Sequence, residues 1–318
     1  MNFLVLGASG FLGSHVRGLL EANPDRGRGT FVSRHGPEPD TIGDAGSWWT
    51  IDLARADVAD HIEMLKATRP DAVINCVGAI GGTDEQLEAA NVAVVAKLVA
   101  ALWSYGPIRL VHLGSAAEYG SQEAGVPVRE TMTARPLSQY GRSKLAATEL
   151  ICDAIADGRI WGTVLRVFNP VGRGAPATSM PGRAALAMRD AQVTRDPSII
   201  LGPLDTFRDF VDARDVADAA VLAARAPEAG PILNVARGHA MSSRALVEIL
   251  ASIAGFSGEI IEDNPPSGRS DGVPWQQADL SLVTSQLGWA PRAGIEDALA
   301  ELWRSTVRRP VQRNGHRA

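Results

Sequence analysis

Short apolar segments alternate with longer amphipathic segments along the first half of the chain. Runs such as NFLVLG, DAVINCVG, IRLVHLGS and WGTVLRVFN are bounded by turn residues, and segments with helical periodicity lie between them. Buried strands that are joined through helices predict βαβ units and a parallel central sheet. We therefore expect an α/β fold with a doubly wound parallel sheet.

The character of the chain changes after Asn169, where glycine and proline become frequent. NPVGRGAPATSMPGRAA and EDNPPSGRSDGVPW have the composition of loops that lie over a ligand. FVDARDVADAAVLAAR instead has the pattern of a strand edge and a helix that return to the sheet. We predict a first domain at 1–169, joined again by 209–230, and a smaller C-terminal domain at 170–318 that mainly binds the substrate.

The composition argues against several classes of protein. The 318 residues carry a formal net charge of −5 with acids and bases mixed along the chain, so nucleic acid is not an expected partner. Cys76 and Cys152 provide neither a disulfide framework nor a metal-ligand spacing, so we expect no metal ion and a cytoplasmic location. We also expect no signal peptide and no membrane span, since no apolar run approaches about 18 residues.

A glycine-rich loop connects the first predicted strand to the first helix. In LVLGASGFLGSH, Gly7, Gly10 and Gly13 follow the strand directly and open the helix. Glycines allow the backbone to turn and to approach a pyrophosphate, which then lies at the helix N-terminus. A turn that only joins strand and helix is the alternative, but the position inside a βαβ unit favours a dinucleotide cofactor.

The end of the second strand indicates which dinucleotide is bound. FVSRHG has no carboxylate for a free ribose 2′-hydroxyl and offers Ser33 and Arg34 instead. Because an arginine there suits a 2′-phosphate, we expect NADP(H) to be favoured over NAD(H), with a surface arginine as the alternative. Asp52 could accept a hydrogen bond from the adenine amino group or cap the following helix, and the sequence leaves both open.

The segment SQYGRSK places Tyr140 four residues before Lys144. On a helix these two side chains lie one above the other on the same face. A lysine ammonium favours the phenolate, so it lowers the pKa of the tyrosine from about 10 toward neutral pH, where a phenol is an effective proton donor. The same spacing also occurs on solvated helices, so other motifs have to decide.

The series of motifs resembles the extended short-chain dehydrogenase/reductase family, which comprises nucleotide-sugar epimerases, dehydratases and reductases. The resemblance covers nearly the whole chain and rests on the glycine loop, NCVG at 75–78, Asn91 at the opening of a helix, LGSAAEYG, YGRSK, RVFNPVGRG, RDFVDARDVADA, LNVARGHAMS and ADLSLVTSQLGWAPR. It implies a Rossmann-like NAD(P)-binding domain and favours catalysis by the Tyr140–Lys144 pair.

The resemblance also implies roles for individual residues. Ser115 would hydrogen-bond a substrate oxygen, Tyr140 would transfer the proton, and Lys144 would lower the pKa of the tyrosine and hold the nicotinamide ribose. The cofactor is expected to contact Gly7, Ser9, Gly10, Phe11, Leu12, Gly13, Ser33, Arg34, Asp52, Leu53, Val77, Gly78, Asn91, Tyr140, Lys144 and Phe168. A nucleotide-diphosphate sugar is expected to contact Ser115, Asn169, Arg208 and Arg269, since an arginine fork suits a diphosphate. For both arginines, a solvated loop position is the alternative.

Departures from family patterns narrow the expected reaction. Where the sugar 4,6-dehydratases of the resembled family are expected to carry Thr-Asp-Glu, this chain has Ser115, Ala116 and Ala117. The acid and base for water elimination are therefore missing. GSAAEYG, RPLSQYGRSKLAATE and LGPLDTFRDFVDARDVADA most resemble GDP-4-keto-6-deoxy-mannose reductases and related ketoreductases. We expect NADPH-dependent reduction of a 4-keto group on a nucleotide-activated (6-deoxy)sugar. An NAD-dependent nucleotide-sugar 4-epimerase is the alternative, because FNPVG is similar to the epimerases.

The helices that begin near Asn91 and Tyr140 carry more apolar residues than packing on one sheet face requires. These residues are Val94, Val95, Leu98 and Val99 on the first helix and Leu145, Leu150, Ile151 and Ile155 on the second. Members of the resembled family commonly pair these helices with their symmetry mates, so we expect a homodimer built as a four-helix bundle.

Four further residues receive a simpler interpretation. His15 and His112 have no acidic or metal-ligating partner in the sequence, so a surface position or core packing is favoured over catalysis for both. Trp48 and Trp49 are adjacent, and we expect them in a loop that covers part of the fold.

Overall fold

A seven-stranded parallel sheet forms the centre of the structure, a computed structural model that describes residues 1–36, 46–263 and 272–308. The strands among these described residues are β1 (Asn2–Leu6), β2 (Arg28–Ser33), β3 (Gly46–Thr50), β4 (Ala72–Asn75), β5 (Arg109–Ser115), β6 (Trp161–Val167), β7 (Pro170–Val171), β8 (Ser198–Leu201), β9 (Phe207–Asp209), β10 (Val211–Asp212), β11 (Ile232–Val235), β12 (Ala240–Ser242) and β13 (Glu259–Glu262). The central sheet has the order β11-β6-β5-β4-β1-β2-β3, and every neighbouring pair is parallel. The strand order therefore reverses between β1 and β4, which is where ligands bind in such sheets.

Helices cover both faces of this sheet. The helices are α1 (Phe11–Ala22), α2 (Val58–Thr68), α3 (Asp84–Glu88), α4 (Val94–Tyr105), α5 (Gln139–Ala156), α6 (Met180–Thr194), α7 (Ala213–Arg225), α8 (Ser243–Ala254), α9 (Ser281–Leu287) and α10 (Ile295–Val307). One core lies between the sheet and α1, α7 and α9, and a second lies between the sheet and α2, α4 and α5. Because both faces are covered, strands such as β1 are apolar on both sides, with Phe3 to Leu6 buried. The predicted Rossmann-like, doubly wound α/β fold is confirmed.

A smaller C-terminal lobe has its own core. Helices α6, α8 and α10 pack together around β8, with Leu246, Leu250 and Leu299 fully buried. Three short strand pairs, β10-β7, β12-β9 and β13-β8, complete this part of the chain. The chain returns to the central sheet over 211–235, because α7 covers one face and β11 forms an edge. Strand β11, at Ile232–Val235, lies just after the predicted return at 209–230, and the division into domains remains a prediction.

The last part of the described chain also packs against the sheet side. Trp289 is almost fully buried in the first core, and its indole Nε1 donates a hydrogen bond to the carbonyl oxygen of Asp215 on α7 at 3.1 Å. The Asp215 carboxylate accepts hydrogen bonds from the backbone N–H groups of Arg292 and Ala293, both at 3.0 Å. The two lobes are thus joined at several places along the chain.

Trp48 and Trp49 lie in a strand, not in a covering loop as expected. They belong to β3, which pairs with β2 at the edge of the sheet. The Trp48 ring packs 5.6 Å from the ring of Phe31, and the Arg17 guanidinium lies 5.3 Å from its centroid. Pairing with β2 and the contacts of Trp48 with Phe31 and Arg17 therefore determine this strand. The local sequence around the two tryptophans does not show these contacts.

A continuous helix of 22 residues runs from Asp84 to Tyr105, through α3, a π-helical turn at 89–93 and α4. By length and composition alone, this helix is apolar enough to cross a membrane. The expectation that no apolar segment approaches about 18 residues is therefore wrong. Its apolar face is that of a core helix, since Val94, Leu98 and Leu102 are fully buried against the sheet. Asn91 lies inside this helix, in the π-helical turn, and not at its opening.

The apolar residues from which we inferred a dimer lie mostly in the core of the single chain. Val94, Val95, Leu98, Val99 and Ile151 are buried, while Leu145, Leu150 and Ile155 are half-buried. These side chains are therefore explained by packing within one chain for the most part. The homodimer remains a prediction.

Candidate active site

A cleft of about 290 Å³ opens at the carboxyl ends of β1, β4, β5 and β6. Segments that follow each of these strands form its walls, together with the start of α5 and parts of the C-terminal lobe. Its lining includes Gly10, Phe11, Leu12, Val77, Gly78, Ser115, Tyr140, Lys144, Asn169 and Arg208. The structure thus brings the three predicted catalytic residues and five predicted cofactor residues outside that set into one cleft, where the strand order reverses.

The glycine loop has the geometry that a pyrophosphate requires. Gly7 has φ +75°, which favours glycine, and a Cβ at Gly13 would lie 2.1 Å from the carbonyl oxygen of Gly7. Gly10 caps α1 without a side chain, and the first turn carries no acidic residue. The N-terminal N–H groups of α1 therefore face the cleft without a competing side-chain oxygen, and they fit a dinucleotide phosphate.

The residues expected near the adenosine ribose lie beyond the end of β2. The Arg34 side chain is 64% exposed, and its Nε atom lies 3.7 Å from Oδ2 of Asp52. Ser33 is buried, and its hydroxyl donates a hydrogen bond to the carbonyl oxygen of Gly36 at 3.1 Å. Asp52 accepts a hydrogen bond from the N–H of Ala54, while Asp57 caps α2. The alternative in which Asp52 caps the helix is therefore wrong.

Helix α5 brings Tyr140 and Lys144 to the cleft. The helix begins after Ser138, whose hydroxyl accepts a hydrogen bond from the N–H of Gly141 at 3.1 Å. A Cβ at Gly141 would lie 2.6 Å from the carbonyl oxygen of Ala117, so only glycine lets the helix pack this closely on the turn after β5. This contact is what places the tyrosine and the lysine beside the end of β5.

Lys144 is buried at the floor of the cleft. Its Nζ donates a hydrogen bond to the carbonyl oxygen of Leu113 at 2.6 Å and lies 3.3 Å from Nε2 of His112. Burial lowers the pKa of Lys144 to about 8. Glu118 and Cys76 raise this pKa, but by less than burial lowers it. A lysine with this pKa can exchange a proton near working pH.

Ser115 ends β5 and is held from behind by a buried carboxylate. Its backbone N–H donates to Oε1 of Glu118 at 2.7 Å, and Nε of Arg166 donates to Oε2 of the same carboxylate at 2.7 Å. The Arg166 guanidinium lies 4.4 Å from the ring centroid of Tyr119. The sequence reasoning did not identify Glu118 or Arg166, because their pairing joins the turn after β5 to β6, 48 positions apart in the chain.

Asn91 is hydrogen-bonded to the loop that follows β4. It is buried, and it exchanges hydrogen bonds with the backbone of Ala79, accepting from N at 2.8 Å and donating to O at 2.9 Å. Its Nδ2 also donates to the hydroxyl of Ser143 on α5 at 2.9 Å. Asn91 therefore fixes the backbone next to Val77 and Gly78, which line the cleft.

Two other predicted cofactor residues do not line the cleft. Phe168 is fully buried, with its ring 6.2 Å from the ring of Tyr119, and Leu53 is buried in the second core. Cofactor contacts at these two positions remain predictions. Ser9 is exposed in the glycine loop and does not line the cleft either.

The predicted substrate residues Asn169 and Arg208 lie where the cleft meets an adjoining cavity of about 110 Å³. Arg208 is buried, and burial lowers its pKa to about 10. A desolvated guanidinium favours an anionic ligand beside it, because the anion stabilises its charge. Arg269 lies outside the described residues.

The structure adds cleft residues that were not among the predicted site residues. Leu137, Pro176, Ser179, Val273 and Gln276 all line the cleft, and Gln276 Nε2 donates to the carbonyl oxygen of Ala116 at 2.9 Å. They come from three separate segments of the chain, which the tertiary structure brings together. Among residues 1–36, 46–263 and 272–308, no group of three His, Cys, Asp or Glu side chains is placed to hold a metal ion.

Comparison with known proteins identifies the family of this chain. Residues 3–236 match the NAD dependent epimerase/dehydratase family. The chain belongs to this family. The expected family relationship is thereby confirmed, and the chain is an NAD(P)-dependent enzyme.

Three proteins that are similar to this chain in sequence or structure have different named activities and ligands. It is 37% identical to a dTDP-6-deoxy-L-talose 4-dehydrogenase (NAD(P)(+)) of Kitasatospora kifunensis, over 96% of both chains. It is 30% identical to a GDP-6-deoxy-D-mannose reductase of Pseudomonas aeruginosa, over 96% of this chain and 98% of the other. The structure of MoeE5 in complex with UDP-glucuronic acid and NAD superimposes with a TM-score of 0.82 at 27% identity, covering 96% of this chain and 99% of the other.

Proposed function

We propose that this protein uses NADPH to reduce a 4-keto group on a nucleotide-diphosphate-activated 6-deoxysugar. The observation that carries the proposal is the cleft that Ser115, Tyr140 and Lys144 line together with the glycine loop and Arg208. The names of the two curated relatives, a 4-dehydrogenase and a reductase of deoxysugar nucleotides, support this choice of substrate class.

The proposed mechanism assigns one task to each catalytic residue. The glycine loop and the N-terminus of α1 would hold the dinucleotide, and its reduced nicotinamide would supply a hydride to the carbonyl carbon. Ser115 donates a hydrogen bond to the carbonyl oxygen, which becomes more negative as the reaction proceeds. Tyr140 gives its phenolic proton to that oxygen, and Lys144, one helical turn away, stabilises the phenolate that remains. Protonation from solvent then restores the phenol for the next turnover.

The cofactor preference rests on Arg34. The absence of a carboxylate at the end of β2 and the exposed guanidinium favour a 2′-phosphate. Asp52 stands 3.7 Å from Arg34 Nε and partly offsets its charge. A phosphate that carries more charge than one carboxylate would attract the exposed arginine more strongly.

The substrate would lie across both cavities. Arg208 and Asn169 stand where the two cavities join, so a diphosphate there would place the sugar toward Ser115 and Tyr140 and the nucleoside in the adjoining cavity. Arg208 is buried, so its charge is poorly compensated by water and would be stabilised by the diphosphate. Arg269 is proposed as a further contact on the resemblance alone.

A 4-epimerase that retains NAD is the second candidate. It is favoured by FNPVG at 168–172, by the name of the family, and by the NAD found with MoeE5. Such an enzyme oxidises and then reduces the same carbon, so it has no need to exchange cofactor or to bind a 2′-phosphate. The cofactor that remains with the protein therefore separates the two candidates.

Single-turnover and steady-state assays test the proposal. The protein is incubated with dTDP- or GDP-4-keto-6-deoxyhexose and with NADPH or NADH, and loss of the reduced-nicotinamide absorbance is followed together with the NMR spectrum of the product. We expect one equivalent of NADPH to be consumed for each 4-hydroxy sugar formed. Conversion of a nucleotide hexose to its 4-epimer, with tightly held NAD and no net oxidation or reduction, would replace this proposal by the epimerase.

A further inference from the structure

Gln276 is a buried polar side chain in the wall of the cleft, and the mechanism above makes no use of it. It lines the cleft together with Ser115 and Tyr140. Its Nε2 donates a hydrogen bond to the carbonyl oxygen of Ala116 at 2.9 Å. Because Ala116 directly follows Ser115 in the chain, this hydrogen bond ties the amide group to the backbone beside the proposed catalytic serine.

The carbonyl group of Ala116 determines which way this amide faces. A carbonyl oxygen can only accept, so the amide nitrogen must face it and the amide oxygen must lie on the other side. Among residues 1–36, 46–263 and 272–308, none donates a hydrogen bond to Oε1 of Gln276, and the protein does not enclose this atom. The residue is only 5% exposed and lines the cleft, so a ligand in the cleft meets Oε1 as a hydrogen-bond acceptor.

The backbone around Gln276 is hydrogen-bonded to β9, the strand that carries Arg208. The N–H of Gln276 donates to the carbonyl oxygen of Phe207 at 3.1 Å, and the N–H of Phe207 donates to the carbonyl oxygen of Pro274 at 2.9 Å. Both the backbone and the side chain of Gln276 are thus held by main-chain groups. The amide therefore has a fixed position relative to Ser115 and to the arginine that we propose for the diphosphate.

The proposed substrate offers a hydrogen-bond donor on only one side of its reacting carbon. In a 4-keto-6-deoxyhexopyranose, C3 and C5 flank the carbonyl carbon. C3 carries a hydroxyl group, whereas C5 carries the ring oxygen and a methyl group, neither of which can donate. When Ser115 binds the carbonyl oxygen, an acceptor that is anchored to the next residue of the backbone matches the 3-hydroxyl.

We propose that Gln276 is a specificity-determining residue that accepts a hydrogen bond from the 3-hydroxyl group of the sugar. The inference rests on the proposed function, because it assumes that the 4-oxygen lies at Ser115 and Tyr140. Val273 and Ala116 line the cleft close to this amide with apolar side chains. A sugar without a donor at C3 leaves Oε1 unpaired in this wall, which costs more than a hydrogen bond to water returns. The site therefore selects sugars with a free 3-hydroxyl.

Fluorinated sugars test the direction of this hydrogen bond in the wild-type protein. The probes are dTDP- or GDP-6-deoxyhexose, whichever binds more tightly, and its 3-deoxy-3-fluoro and 2-deoxy-2-fluoro forms, titrated by calorimetry in the presence of NADPH. Fluorine is close to a hydroxyl group in size but cannot donate. We expect the 3-fluoro sugar to bind roughly tenfold more weakly than the parent and the 2-fluoro sugar to lose less. Equal affinity for the parent and the 3-fluoro sugar, or a larger loss at C2, overturns the proposal.

Gln276→Met separates contact with the sugar from support of the backbone. Methionine is similar in length but has no oxygen, so we expect the preference for hydroxyl over fluorine at C3 to fall to within about twofold. If Gln276 only held Ala116, the variant would bind both sugars equally less well and keep the preference, which overturns the proposal. Gln192→Met is the matched control, because Gln192 Nε2 also donates to a carbonyl oxygen, that of Ala254 at 2.8 Å, but does not line the cleft.

These measurements do not depend on turnover. A 4-hydroxy sugar beside NADPH has no carbonyl group to accept the hydride, so the complex is unreactive in a reductase and in an epimerase alike. A failed ketoreductase assay would therefore leave the binding result intact. Loss of the fluorine effect would overturn the role of Gln276 and leave the proposed reaction standing, and the wild-type comparison decides even if Gln276→Met does not fold.

Discussion

Arg166 and Glu118 form an ion pair that is buried directly behind Ser115. The Nε–Oε2 distance is 2.7 Å, and the side chains are 4% and 0% exposed. The second oxygen of Glu118 accepts the backbone N–H of Ser115, so the same carboxylate holds both the arginine and the end of β5. The position of the proposed catalytic serine therefore depends on a charge pair that does not itself line the cleft.

Breaking this pair should be costly. Arg166→Met leaves the Glu118 carboxylate buried without its partner, so we expect the free energy of unfolding to fall by about 3–5 kcal/mol. The double variant Arg166→Met with Glu118→Gln removes the isolated charge and should recover a large part of that loss. Urea unfolding measures both. A loss below about 1 kcal/mol for the single variant, or strict additivity in the double, would contradict the structural role.

Tyr140→Phe should abolish proton donation while leaving the cleft in place. We expect kcat to fall on the order of a hundredfold or more, which is typical when a general acid is lost, and the Kd for NADPH to stay near wild type. Tyr105→Phe is the matched control, because Tyr105 lies at the end of α4 and does not line the cleft. Unchanged turnover by the Tyr140 variant would refute the assignment.

Arg34→Asp should change the cofactor preference. A charge-assisted hydrogen bond contributes about 1.5–3 kcal/mol, so NADPH binding should weaken roughly tenfold to a hundredfold while NADH binding stays the same or improves. Arg55→Asp makes the same charge change at an exposed position after Asp52 and should have a smaller effect. Fluorescence titration of both reduced cofactors measures the difference. If wild type prefers NADH, or retains NAD through dialysis, the reductase proposal loses its main support.

Lys144 should make stability depend on alkaline pH. Its folded pKa of about 8 is below the usual 10.5, so between these values the unfolded chain binds a proton that the folded chain does not. Stability therefore gains a contribution from Lys144 as pH rises from about 8 to 10.5. In Lys144→Met this contribution is missing, so the stability of wild type relative to the variant should increase across that window. A difference that stays constant with pH would place the pKa of Lys144 at its ordinary value.

The predicted homodimer can be tested on the side of the long helix that remains accessible. Val92, Ala96, Ala100 and Trp103 follow one stripe of this helix, and Trp103 is 61% exposed. We expect light scattering to show a dimer at micromolar concentration and Ala100→Glu to shift it to monomer. Val193→Glu, at an exposed position on α6, is the control. Monomeric wild type would argue against the dimer.

Local chemistry determined which features could be predicted. Gly7, Gly10 and Gly13 form a turn whose requirements are contained in a dozen residues, and Tyr140 and Lys144 need only one helical turn, so sequence placed both motifs in the cleft. The parallel sheet followed from apolar strands that alternate with helices. Each of these inferences depends on a pattern within short segments of the chain.

Long-range contacts determined what could not be predicted. Trp48 and Trp49 became a strand because β2 offers an edge, and Gln276 reaches the cleft from a loop 160 positions after its partner Ala116. For His112 a surface position and core packing were both left open, and the sequence gave no sign that its ring is buried and faces Lys144. Contacts of this kind depend on strand order and helix packing, which a local pattern does not contain.

The interleaved path of the chain also determines how the molecule can come apart. Helix α7 and strand β11 complete the sheet from within the C-terminal half, and Trp289 is buried in the core that α1 and α7 form. A fragment that ended near residue 169 would expose this core and lack one edge strand, so it would not be a stable folding unit. The two lobes should therefore melt in a single cooperative transition, with equal calorimetric and van't Hoff enthalpies, although each has its own hydrophobic core.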